Sequence, residues 1–230
     1  MELKNEKKTK FPFLGFYHYG VILTYLSVIS AVIGIYFSVG GNKDPMPEIG
    51  IICLLISGIC DSFDGAVART RKNRSKEDKM FGERIDSLSD LIAFGVAPTA
   101  IGFGLEINRW FFLPVFFLYI LCALIRLAYF DVTEEIRMED PNCGKRKFYE
   151  GLPVTCSAFI IPVFYLIATM FEPHSLGLTL TMLIGYLSVA ILFISKFKLS
   201  KLSNKGVFKL ILLVSILLSI LLFLNLKVFN

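Results

Sequence analysis

The chain has 230 residues, 55% of them hydrophobic, with a formal net charge of +5 and a mean hydropathy of +0.65. Soluble domains of this length rarely exceed about half apolar residues, so this composition excludes an ordinary soluble enzyme. The length leaves room for one domain, or two small ones, and neither internal repeats nor low-complexity tracts break it.

The first segment, 1–20, carries Lys4, Lys7, Lys8 and Lys10 and then FPFLGFYHY at 11–19. Lysines followed by aromatics predict an interfacial segment on the cytoplasmic side of a membrane. From 21 to 230, apolar runs recur at 21–39, 48–67, 87–105, 110–129, 152–170, 175–195 and 207–226. Each has about the 20 residues that a bilayer-crossing helix needs. The first is too long for a signal peptide and is read as a retained helix. The predicted fold is therefore all-α, a polytopic integral membrane bundle of about seven transmembrane helices with its N-terminus in the cytoplasm.

Charge tests that count. With seven spans, 21 of the 24 Lys and Arg fall on one side, and only Lys43, Arg109 and Lys227 fall on the other. This is the positive-inside pattern. The net charge thus reflects topology and anionic lipid, and gives no case for nucleic acid. The cysteines at 53, 60, 122, 143 and 156 form no C-x-x-C pair and are read as reduced packing residues. His18 and His174 are far apart in sequence, which argues against a histidine metal site.

Four aspartates interrupt the second and third runs. Measured from Arg69, Asp64 and Asp61 lie roughly 8 and 12 Å into the second helix; measured from Arg84, Asp86 and Asp90 lie roughly 3 and 9 Å into the third. Both pairs enter from the same side and reach overlapping depths. At about 100° per residue, Asp61 and Asp64 share one side of a helix with Gly65 and Ala68, and Gly82, Asp86 and Asp90 form one stripe. Ionised carboxylates at such depth cost several kcal/mol each unless paired or wetted, about 2.5–3.5 kcal/mol on insertion scales. Four of them in one pocket need protons or cations. An all-oxygen ligand set suits hard divalent ions, Mg²⁺ or Mn²⁺. Two such ions facing a basic loop suit a diphosphate at a membrane–water boundary.

The pattern D61-x-x-D64-G65-x-x-A68-R69, followed by G82-x-x-x-D86-x-x-x-D90, resembles the signature of the CDP-alcohol phosphatidyltransferases. Eight positions match, although the twelve residues between Arg69 and Gly82 exceed the gap of many members. DSLSD at 86–90, FGVAP at 94–98, IRLAYF at 125–130 and GLPVT at 151–155 are similar to the membrane-type phosphatidylserine synthases of bacteria and archaea. The resemblance implies transfer of a phosphatidyl group from CDP-diacylglycerol to L-serine with release of CMP, in the cell membrane, with the active site facing the cytoplasm. It implies that Asp61, Asp64 and Asp86 are the main ligands of two divalent ions, with Asp90 the general base and a further contact to metal. Gly65, Ala68, Arg69 and Gly82 would shape the nucleotide pocket. A homodimer is implied by the family alone.

Blander readings stand beside these. The small residues also suit helix packing, and Arg69 suits a positive-inside anchor. Arg126, in the fourth run, either holds the serine carboxylate or a lipid phosphate, or else snorkels or pairs with Asp131. The basic residues Arg71, Lys72 and Arg74 either attract CDP-lipid or are solvated. Pro98 is expected to kink the third helix, and Gly151 with Pro153 to open the fifth. Glycerol 3-phosphate or an inositol phosphate is the alternative acceptor; such anions need additional deep cations, whereas Arg126 is the one deep cation outside the motif. A cation-coupled transporter would need a polar route to the far side, and IGIICLLI and PTAIGFG carry no ionisable group.

Overall fold

A computed structural model of the chain describes residues 15, 19–41, 44–70, 75–105, 110–139, 148–171 and 175–200. The helices are α1 (Ile22–Ser38), α2 (Pro47–Thr70), α3 (Lys76–Asp90), α4 (Ala97–Gly104), α5 (Leu113–Glu139), α6 (Ser157–Ala168) and α7 (Leu176–Ile194). A two-stranded antiparallel ribbon, β1 (Phe148–Glu150) with β2 (Lys198–Ser200), is the only sheet among the described residues. Among the described residues, five helical stretches are long and apolar enough to cross a membrane, and Val154–Ala168 is a shorter apolar helix. Six of the seven predicted runs therefore coincide with helices. The seventh, 207–226, and the predicted interfacial segment, Gly15 and Tyr19 onward apart, lie outside the described residues.

Local chemistry sets the helix ends. Pro47 begins α2, where its missing N–H costs nothing. Ser75 caps α3 in a reciprocal box: its Oγ accepts from Asp78 N at 3.1 Å while the Asp78 carboxylate accepts from Ser75 N. Ser175 caps α7 by accepting from Leu178 N. The predicted 152–170 span is shorter than its run. Gly151 has φ +73 and Pro153 is extended, so helical backbone starts only at Val154.

The third span is one continuous rod, Lys76–Gly104, with a π-helical turn at Leu91–Val96 between α3 and α4. Pro98 explains the irregularity. Its ring has no N–H to offer the carbonyl four residues back, that of Phe94. In a bilayer no water replaces the lost bond. Here Tyr119 donates its hydroxyl to Phe94 O at 2.9 Å, Ser157 donates at 3.4 Å, and Tyr186 donates to Pro98 O at 2.6 Å. The expected kink is thus a π turn, stitched to α5, α6 and α7. Tyr119 and Tyr186 are fully buried and meet edge to face at 5.4 Å, so each hydroxyl is satisfied and each ring packs.

Helices α1 and α2 cross closely. From Gly20 in the turn before α1, Thr24, Ser27, Ala31, Gly34 and Ser38 follow along α1 in alternating steps of four and three, and all are buried. A methyl on Gly34 would sit 2.8 Å from the Cys53 Cβ, so the backbones pack at a distance only glycine permits. Ser30 donates to Cys53 O at 2.9 Å, and Ser57 donates to Ser27 O at 2.9 Å. The opposite face of α1, with Ile22, Leu26, Ile29 and Ile33, is exposed and apolar, as a lipid-facing surface requires.

Candidate active site

The four aspartates converge where the same end of α2 and α3 meets α1. One oxygen from each of Asp61, Asp86 and Asp90 lies within 4.8 Å of the others, close enough to share a metal ion. Asp90 and Asp61 act on one another electrostatically, as do Asp86 and Asp64. Two carboxyl groups at such range need a proton or a cation between them. Asp64, 8% exposed, also accepts from the Thr24 hydroxyl at 3.2 Å. The predicted stripe on α3 and the predicted pair on α2 thus face one another.

Beside the cluster is a cavity of about 270 Å³, lined from α1 and the turn before it by Gly20, Val21 and Thr24, from α2 by Asp64, Gly65 and Ala68, and from α3 by Lys79, Gly82, Glu83 and Asp86. Asp86 belongs to both the cluster and the cavity wall. Gly65, Ala68 and Gly82 all stand on this wall. The backbone of Arg69 lies in the last turn of α2, while its side chain falls outside the described residues, as do Arg71, Lys72 and Arg74.

Arg126 stands apart from the cavity wall. It is 6% exposed on α5, lies over the Phe130 ring at 5.6 Å and donates from Nε to Leu152 O at 3.2 Å. Asp131, which the sequence offers as one alternative partner for Arg126, accepts from Arg84 at 3.2 Å and from Ser87 at 2.7 Å. The other alternative, snorkelling, does not fit, since burial and a bond to backbone keep the guanidinium inside. The contact brings IRLAYF and GLPVT together. A methyl on Gly151 would lie 3.0 Å from both Phe193 O and Ser195 O and 3.6 Å from Arg126 Nε, and its positive φ already favours glycine. Thr155, in the same stretch, lies near the Asp61 carboxylate.

Sequence reasoning missed Thr24 and gave no role to Thr155 or to Lys79 and Glu83. The signal for Thr24 was its place in the small-residue stripe of α1. Thr24 offers its hydroxyl to a carboxylate that the motif singles out, the arrangement by which outer groups orient metal ligands. The fit to a metal is good: every donor is a carboxylate oxygen, the set is dense, and no imidazole is among the described residues nearby. The cluster offers a ligand set for a divalent cation.

Comparison with known proteins agrees with the geometry. A family model described as CDP-alcohol phosphatidyltransferase matches residues 17–226. A CDP-diacylglycerol–serine O-phosphatidyltransferase of Saccharomyces cerevisiae is 36% identical over 150 residues, covering 61% of this chain and 52% of its own. An archaetidylserine synthase of Methanothermobacter thermautotrophicus is 33% identical over 146 residues, covering 63% and 56%. A CDP-diacylglycerol–serine O-phosphatidyltransferase of Helicobacter pylori is 32% identical over 178 residues, covering 73% and 68%. The chain spans about half the length of the yeast and archaeal relatives it matches.

Proposed function

We propose that this chain, which belongs to the CDP-alcohol phosphatidyltransferase family, transfers the phosphatidyl group of CDP-diacylglycerol to L-serine and releases CMP. The observation that carries the reading is the convergence of Asp61, Asp86 and Asp90 to within 4.8 Å beside a cavity walled by Asp64, Gly65, Ala68 and Gly82. Relatives named for serine transfer support the choice of acceptor.

Asp61, Asp64 and Asp86, with Asp90, would hold two divalent ions, Mg²⁺ or Mn²⁺. When bound, these would neutralise the diphosphate and the CMP that departs. Asp90 is the general base. It takes the proton of the serine hydroxyl, a poor nucleophile at neutral pH. The serine oxygen bonds to the lipid-bearing phosphorus, the bond from that phosphorus to CMP breaks, and CMP leaves as its anion. Gly65, Ala68 and Gly82 leave the cavity wall flat for the nucleotide, and the diphosphate is assigned to Arg69. Thr24 and Thr155 hold Asp64 and Asp61 in orientation. Arg126 is the cation assigned to the serine carboxylate or a lipid phosphate, steadied by the Leu152 carbonyl.

The positive-inside pattern supports a multi-pass protein of the cell membrane with the acidic end of the bundle facing the cytoplasm. There lipid reaches the site from the side and serine from the water. In this reading residues 1–20 are assigned to an interfacial segment and 21–230 to the transferase domain. A homodimer is carried by family resemblance alone.

The test is CMP release by purified protein in detergent with CDP-diacylglycerol, Mn²⁺ or Mg²⁺, and each of L-serine, glycerol 3-phosphate and an inositol phosphate. Release with serine alone is expected. Release with glycerol 3-phosphate alone would overturn the serine assignment, and release with none would overturn transfer.

A further inference from the structure

Helix α3 is held by a polar clamp on the side away from the cavity. Arg84 donates from Nη1 to Asp131 at 3.2 Å and from Nη2 to Glu135 at 2.8 Å. Ser87 donates to the other Asp131 oxygen at 2.7 Å. Asp131 is largely buried, with 19% of its side chain exposed, whereas Arg84 and Glu135 are about half exposed. Asp131 therefore bridges two residues that flank Asp86 in sequence.

The helical geometry says what this bridge does. At about 100° per residue, Arg84 and Ser87 share one face of α3, and the stripe of Gly82, Asp86 and Asp90 lies roughly 130° around the helix. A grip on the first face fixes the rotation of the second. Isolated surface ion pairs contribute about 0–1 kcal/mol, but here two donors meet one half-enclosed carboxylate whose loss would leave Ser87 unmatched and Arg84 held by Glu135 alone. The clamp also settles a charge problem. Asp131 lies near enough to Asp86 to act on it electrostatically. Arg84, on α3, neutralises this further carboxylate, which α5 brings beside the cluster.

We infer that Asp131, through Ser87 and Arg84, is a positioning residue that sets the rotation of α3 and so the metal affinity of the Asp61–Asp86–Asp90 cluster. The inference rests on the metal-binding reading proposed above and concerns residues outside the motif.

The experiment is a titration of the purified full chain in detergent with MnCl₂, with free Mn²⁺ read by electron paramagnetic resonance and folding read by a thermal melt. Asp131→Ala is expected to weaken Mn²⁺ binding about tenfold, in the range for residues that orient metal ligands. Asp131→Asn keeps an oxygen for Ser87 and is expected to lose about threefold, between wild type and the alanine variant. Ser87→Ala removes one hydroxyl and no charge, and serves if Asp131→Ala fails to fold; it too should weaken Mn²⁺ binding. A merely structural clamp would lower the melting temperature and leave the Mn²⁺ affinity within about twofold of wild type. That result, in whichever variants fold, would overturn the inference while sparing the metal reading. Wild-type protein that binds no Mn²⁺ would overturn both.

Discussion

The two ends of the α1–α2 pair use similar residues to different effect. At the far end, Gly34, Gly50 and Ser38 let α1, α2 and α4 press together, and Ser30 and Ser57 donate to backbone carbonyls. At the acidic end, Gly20, Gly65 and Gly82 line open space, and Thr24 donates to a carboxylate. Small residues that close one crossing open a cavity at the other, because there α3 enters at the wall and brings Asp86 and Asp90 with it. The far end holds a carboxylate too. Glu48 accepts from the buried Tyr165 hydroxyl at 2.8 Å, so it ties α2 to α6 as a single matched pair. One satisfied carboxylate supports packing; four that crowd together call for a cation.

The contrast breaks most readily at Asp90. Asp90→Asn should cut turnover about 10²–10⁴-fold, the usual contribution of a general base, while metal-dependent binding of CDP-lipid persists. Unchanged turnover in CMP-release assays would remove that assignment. Next comes Thr24→Val, which deletes the hydroxyl on Asp64 and keeps the volume. Metal concentration at half-maximal activity should rise about tenfold, with little change in the melting temperature. At the far end the pattern should invert. Gly34→Ala forces a methyl against Cys53 and should cost about 1–3 kcal/mol of stability, read as a lower melting temperature in detergent, with the metal requirement unmoved. The smallest effect is expected at Ser30→Ala, about 1 kcal/mol or less, again in stability and not in metal dependence. A shifted metal requirement in either far-end variant would dissolve the distinction between the two ends.

Much of the site could be read from residue spacing. Periodicity put Asp61 and Asp64 on one side of α2 and Gly82, Asp86 and Asp90 on one stripe of α3, and a common depth followed from 1.5 Å per residue. Six of the apolar runs became helices for the same reason that they stood out: lipid selects long apolar segments. What spacing could not supply was the choice of partner among chemically equivalent groups. Arg126 had Asp131 five residues away, yet pairs with a carbonyl of the Gly151–Pro153 turn, while Asp131 pairs across to α3. Thr24 resembles its serine neighbours until α2 places Asp64 against it. Pro98 announced a disturbed helix, but the π turn depends on Tyr119 and Ser157 arriving from other helices to satisfy Phe94. Each of these is decided by how helices cross, which no local pattern encodes.

The account turns on metal shared by carboxylates from two helices. Anomalous diffraction from crystals grown with Mn²⁺ tests it most directly. Manganese peaks in direct contact with Asp61, Asp86 and Asp90, and with Asp64 at the cavity side, are the predicted result. Peaks only elsewhere, or four carboxylates carrying none at saturating Mn²⁺, would contradict it.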